Sequence, residues 1–113
     1  MPLAELFTNT ATIGTTEYSL PNNSTTLTPR TEDGMYQALI DLNAMAAGDQ
    51  YEIKIYEKIT SGGTQRAVFS ATVTGVQSPF IIPALMLLHG WDITMKKLAG
   101  TDRSISWSIR QAT

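Results

Sequence analysis

Between residues 51 and 74 apolar and polar side chains alternate almost without interruption. Tyr51, Ile53 and Ile55 fall on one side of the chain, and Glu52, Lys54 and Tyr56 on the other. After Ser61-Gly62-Gly63 the alternation resumes, with Ala67, Phe69, Ala71 and Val73 set against Val68, Ser70, Thr72 and Thr74. A period of two marks a half-buried strand, because successive side chains of an extended chain point to opposite faces. The pattern therefore predicts a β-hairpin over residues 50–60 and 64–74, with Gly62-Gly63 supplying the positive φ of its turn.

The same reasoning extends along the chain. Residues 1–7 read as a helical turn or an N-terminal arm. Strands are expected at 8–13, ended by Gly14, at 16–20, stopped by Pro21-Asn22-Asn23, and at 24–28, closed by Pro29. A turn at 31–34 leads into a strand at 35–42, where Tyr36, Ala38, Ile40 and Leu42 alternate against Met35, Gln37, Leu39 and Asp41. The one helical turn is expected at 43–47, capped by Asn43 and ended by Gly48 in the left-handed conformation. Residues 80–88 are apolar, but Pro83 lacks an N–H and restricts that segment to a sheet edge or a bulge. Strands at 91–96 and 103–111 close the chain as a final hairpin around Gly100-Thr101-Asp102, with Trp91 and Trp107 on their apolar sides. About seven or eight short strands at this spacing define an all-β fold, an antiparallel β-sandwich (or barrel), in a single domain over 1–113.

Composition narrows the function more than it names it. The chain has 113 residues, a formal net charge of -2 and 16% charged residues. It lacks the basic run that a nucleic-acid interface needs. Its most apolar segment is interrupted by Pro83 and falls far short of the ~20 residues of a membrane helix. No basic stretch followed by an apolar one opens the chain, so no secretory leader is read. There is no cysteine, which removes disulfides, thiolate metal sites and thiol nucleophiles. Sixteen threonines and ten isoleucines supply the stiff β-branched side chains that suit a pleated surface.

Candidate chemistry is thin. His89, the single histidine, has Asp92 three residues on, the elements of an oriented general base. No G-x-S-x-G elbow presents a serine to it, and a strand-end histidine tied to backbone explains the same residues. One histidine with scattered carboxylates has no metal-ligand spacing. Glu32-Asp33 and the pair Glu52 and Glu57 fall at a turn and on a strand's polar side, where carboxylates are solvated. Lys96-Lys97, Arg103 and Arg110 suit cross-strand pairing or subunit contacts better than an anionic partner. The sequence thus predicts no catalytic, cofactor-binding or metal-ligating residue, and no enzyme. Partner contact is the remaining candidate. Its expected residues are Leu3, Leu6 and Phe7 near the N-terminus, and Pro79, Phe80, Ile81 and Ile82, where apolar side chains bracketed by prolines either plug the sandwich or form an exposed docking patch.

Three segments carry a resemblance: LAELFTNTATIGTTEYSLPNNSTTL, DGMYQALIDLNAMAAGDQYEIKIYEKITSGGTQR and LLHGWDITMKKLAGTDRSISWSIRQAT. Together they span nearly the whole chain, which resembles small uncharacterised virion-associated proteins of tailed bacteriophages. The resemblance implies a virion structural protein, first of all a capsid decoration (cement) protein that stabilises the shell. It implies the major capsid protein or other virion subunits as partners, a homo-oligomer with a trimer favoured, and residence on the capsid surface after synthesis in the bacterial cytoplasm. No cofactor, nucleic acid or membrane is expected from the composition and spacing above. The competing roles are a head–tail connector, tail or fibre-base subunit, and a carbohydrate-binding module. The last requires Trp91, Trp107 or the tyrosines Tyr18, Tyr36, Tyr51 and Tyr56 to line an exposed groove.

Overall fold

A strand with one apolar face must bury it against a second layer. The computed structural model, which describes residues 3–112, meets this need with two four-stranded antiparallel sheets. In chain order the strands are β1 (Leu3–Ile13), β2 (Tyr18–Ser19), β3 (Gly34–Asp41), β4 (Gln50–Lys58), β5 (Gln65–Thr74), β6 (Phe80–Leu87), β7 (Asp92–Ala99) and β8 (Arg103–Ala112). Sheet I runs β1-β8-β3-β6 and sheet II runs β2-β7-β4-β5. Among the described residues there is no helix, so none crosses a membrane.

Alternation sorts the side chains. β3 turns Tyr36, Ala38 and Ile40 inward, β4 Tyr51, Ile53 and Ile55, β7 Ile93 and Met95, and β8 Ile105, Trp107 and Ile109, all buried. Each such large apolar side chain stabilises the fold by about 1.5–3 kcal/mol when removed from water. Trp91 sits at the centre, with Tyr36 4.8 Å and Phe7 5.9 Å away between ring centroids. Its indole Nε1 donates to the Glu32 carbonyl at 2.9 Å. The Trp107 Nε1, by contrast, is the one buried side-chain polar atom without a partner among the described residues.

Several sequence expectations change here. Residues 3–7 form no arm; they continue β1, because β8 is long enough to pair with it from Leu3 opposite Ala112. Residues 1 and 2 lie outside the described residues. The strand expected at 24–28 shrinks to a bridge between Ser24 and Ser19, with Thr25 to Thr28 exposed and unpaired. The helical turn expected at 43–47 is instead two successive turns, closed by Met45 N to Leu42 O at 3.0 Å and Asp49 N to Ala46 O at 3.1 Å. Two aspartates cause this: Asp41 takes the Asn43 N–H and Asp49 the Ala46 N–H, so these donors are satisfied without a helix. Leu42 and Met45 are thereby both driven into the core.

Gly62 and Gly63 have no positive φ. The hairpin connection spans six residues, from Lys58 to Gln65, so its twist needs no left-handed residue. Gly63 is there for room: a Cβ would lie 3.0 Å from Thr60 Oγ1 and 3.3 Å from its carbonyl. The final hairpin is also absent, since β7 and β8 belong to opposite sheets. Asp49 and Tyr51 hold that crossover. The Tyr51 hydroxyl accepts from Arg103 N at 2.8 Å and donates between Ile13 O and Thr101 O, 3.1 and 3.0 Å away. Pro83 behaves as expected, at a bulge in the edge strand β6.

Candidate functional site

Residues opposed across antiparallel strands share a face of the sheet. The register of sheet I therefore sets Leu3, Ala112, Met35 and Met86 side by side, an apolar row crossing all four strands. Because Tyr36, Ala38 and Ile40 point inward, this row faces out. Leu3 is 76% and Met86 79% exposed, values that leave almost the whole side chain in water. Next along the face comes a polar row of Glu5, Arg110 and Gln37, then a mixed one of Thr8, Ser108, Leu39 and Ile81. Ser108 Oγ donates to Glu5 and accepts from Arg110 Nε at 2.9 Å, which ties the polar row together.

A depression of about 240 Å³ lies on this face, lined by Leu3, Met35, Gln37, Ala84 and Arg110. On the other side of β6, a cleft of about 390 Å³ opens between the two sheets, lined by Val68, Phe69, Phe80, Pro83 and Leu85, with Glu57 as its acid. β6 thus stands between two apolar hollows, a surface of the kind that marks an interaction site.

The expected contact residues divide between this surface and the core. Leu3 and Ile81 lie on the outer face of sheet I. Leu6 is the extra residue of a bulge between Glu5 and Phe7 and is exposed. Pro79 is exposed just before β6. Phe7 packs inward, edge-on to Trp91, with the Arg30 guanidinium 5.0 Å over its ring. Phe80 packs partly buried against the core, and Ile82, 5% exposed, belongs to it. Residues 79–83 both plug and present, by strict alternation. Alternation sets Met35 opposite Tyr36, but only the non-local pairing with β6 and β8 joins Met35 to Met86 and Leu3, a link that no local sequence signal marks.

His89 and Asp92 do not converge. His89 is tied through its backbone, its N–H donating to Glu57 at 3.1 Å and its carbonyl accepting from Lys58 N at 2.9 Å. Asp92 is buried on the outer side of sheet II, where its Oδ1 accepts from Ser19 Oγ at 2.7 Å and Ile93 N at 2.8 Å. Glu17 completes this cluster, accepting from the Tyr56 hydroxyl at 2.7 Å and from Thr94. Desolvation pushes the Asp92 carboxyl up to about 6, against the two donors that lower it. Burial and then the Glu17 hydrogen bond raise the Tyr56 phenol. The indoles of Trp91 and Trp107 and the rings of Tyr36 and Tyr51 are buried, whereas Tyr18 and Tyr56 are half-buried, with the Tyr56 hydroxyl donating to Glu17. Among the described residues no group of three or more metal-ligating side chains converges.

The Asp92 environment predicts an unusual pH dependence. A carboxyl whose folded pKa of about 6 exceeds its unfolded 3.8 binds more protons in the folded state. Its contribution is therefore fully favourable below about pH 4 and is lost as pH rises through 6. Unfolding free energy is expected to fall by about 2 kcal/mol from this group between pH 4.5 and 7. Asp92→Asn, followed by urea unfolding across that range, is expected to remove most of the slope. An unchanged slope would contradict the assignment.

The fold and surface together define an all-β antiparallel sandwich with an exposed apolar sheet face. No protein-family model matches the sequence, and no curated protein does. Among solved structures the chain is similar to the Yersinia pseudotuberculosis-derived mitogen, with a TM-score of 0.55 and 13% identity over 98% of this chain and 86% of that one. At that identity the likeness concerns the fold alone. A xylan-binding domain aligns over 85% of this chain and 61% of that one at 16% identity, but its TM-score of 0.33 carries no argument.

Proposed function

We propose that the chain is a phage virion structural protein, a capsid decoration subunit that binds and stabilises the shell through the outer face of sheet I. The observation that supports this most is the row Leu3, Ala112, Met35 and Met86, set in water across all four strands of a sheet whose other face already fills the core. A monomer gains nothing from that row, whereas covering each long side chain contributes about 1.5–3 kcal/mol to a complex. The neighbouring Glu5, Arg110 and Gln37 provide the polar fringe that surrounds the apolar centre of a docking surface. The sequence resemblance to virion-associated phage proteins points the same way, and shell subunits are the partner it implies.

The reading is tested by co-sedimentation with shells that lack the protein. Met35→Glu with Met86→Glu leaves the core untouched, so thermal stability is expected to stay within about 0.5 kcal/mol per substitution of the parent. Shell binding is expected to weaken at least a hundredfold, since each lost methionine contact of about 1.4 kcal/mol is tenfold in affinity. A double variant that binds as tightly as the parent removes sheet I as the docking face.

A further inference from the structure

A sandwich of two open sheets has four edge strands, and an unprotected edge pairs with another chain. Two of the four are blocked here: β2 is two residues long, and β6 carries Pro83, which has no N–H to give. β1 keeps a regular run after its Leu6 bulge, Phe7 to Ile13, but the side chains it leaves exposed are threonines and an asparagine. β5 differs in leaving apolar side chains, Val68 and Phe69, exposed along a free edge. After its own bulge at Val68, residues Phe69 to Thr74 pair regularly with β4 on one side and with nothing on the other, and this run holds no charge and no proline.

We propose that β5 is a self-association edge, pairing antiparallel with β5 of a second copy of this chain about a two-fold axis through Ala71. That register sets Phe69 opposite Val73 of the second copy and Ser70 opposite its Thr72. It accounts for Phe69, a phenyl ring on the inner-facing alternation that is nonetheless 45% exposed. An aromatic ring beside a β-branched side chain is a favourable cross-strand pair, as are facing hydroxyls. The one charge on β5, Arg66, lies beyond the run, and the antiparallel arrangement sends the two copies of it to opposite ends. The two sheets II become one eight-stranded sheet. Edge-to-edge pairing uses both β5 edges at once, so association closes at two, in place of the trimer the resemblance implies. The outer face of sheet I stays free, and the inference stands apart from the shell-binding proposal.

Molar mass measured by light scattering after size exclusion, from micromolar to several hundred micromolar, is expected to move from the 12.3 kDa monomer to twice that value. Ser70→Lys with Thr72→Lys sets lysine against lysine across the axis and is expected to hold the chain monomeric. Mixing it with Ser70→Glu/Thr72→Glu is expected to restore a one-to-one dimer, which shows that both variants fold. The chain has no cysteine, so Ala71→Cys adds a single thiol on the axis. Opposed antiparallel Cα atoms lie about 4.5–5.5 Å apart, within disulfide reach, and mild oxidation is expected to give a covalent dimer, while Gln77→Cys gives none. A wild-type monomer at all concentrations, a dimer indifferent to the lysines, or an Ala71→Cys chain that does not cross-link would each overturn the proposal.

Discussion

Trp91→Ala is expected to leave little folded protein at physiological temperature. The indole is fully buried, flanked by Tyr36 and Phe7, and donates to the Glu32 carbonyl. Its backbone also bridges to Arg30, N to O at 3.0 Å and O to N at 2.7 Å, which fixes the long connection between β2 and β3 to the sheet. Truncating a buried tryptophan costs about 3–5 kcal/mol through lost transfer energy and the cavity left behind. Domains of this size hold only about 5–15 kcal/mol in all. Glu32 O retains one donor, the Tyr36 hydroxyl at 2.6 Å, so the loss comes mainly from packing. Trp91→Phe keeps an aromatic ring and is expected to cost less than half as much. Urea unfolding of both variants measures this; a loss under about 1 kcal/mol for alanine would mean the ring is not central to the core.

Gly100→Ala should be the most damaging change outside the core. Gly100 has a φ of 91°, and a Cβ there would stand 2.6 Å from Asp49 Cα and 2.8 Å from the Gly48 carbonyl. The Asp49 carboxylate stands nearer still, but the two backbone atoms behind it have no freedom to yield. It lies where β7 leaves sheet II for β8 in sheet I. Asp49 secures the crossing, accepting from Thr101 N at 3.0 Å and Arg103 Nε at 2.7 Å. The Arg103 hydrogen bond, then the Thr101 and Ala46 amides, hold the Asp49 carboxyl down at about 2. Its stabilisation is present above its unfolded 3.8 and is lost as pH falls from there towards 2, the opposite sign to Asp92. Gly48 provides the control: its φ is 92°, but nothing stands within 4 Å of its Cβ position. Gly48→Ala is expected to cost about 1–2 kcal/mol from the left-handed backbone alone. Gly100→Ala is expected to cost at least about 2 kcal/mol more, from overpacking of a site that cannot relax. Equal losses would remove the close approach as a determinant of the crossing.

The strands were legible where one strand carries its own signal. The alternation of Tyr51, Ile53 and Ile55 marks β4, and that of Ile105, Trp107 and Ile109 marks β8, without reference to any partner. What one strand cannot encode is who lies beside it. β7 and β8 are neighbours in sequence around a Gly-Thr-Asp turn, yet they lie in different sheets, with Asp49 and Arg103 paired at the crossing. β5 alternates as cleanly as β4, but its first half is exposed on both sides, because alternation reports what a strand offers and not whether a layer covers it. Residues 43–47 have helical composition; the carboxylates of Asp41 and Asp49 capture their amides first. The candidate surface was half visible for the same reason. Leu3 and Ile81 stood out as apolar residues near an end or a proline, whereas Met35 and Met86 join them only through pairings between strands distant in sequence.

The claim on which the functional reading rests is that the outer face of sheet I meets a shell. Cryo-microscopy of particles purified from cultures that make the chain tests it most directly, by counting copies and showing which face is covered. Hundreds of copies on the capsid surface, with Leu3, Met35 and Met86 turned toward the shell, is the predicted result. A dozen copies at a vertex, none on the particle, or shell-bound copies with that face in solvent would contradict it.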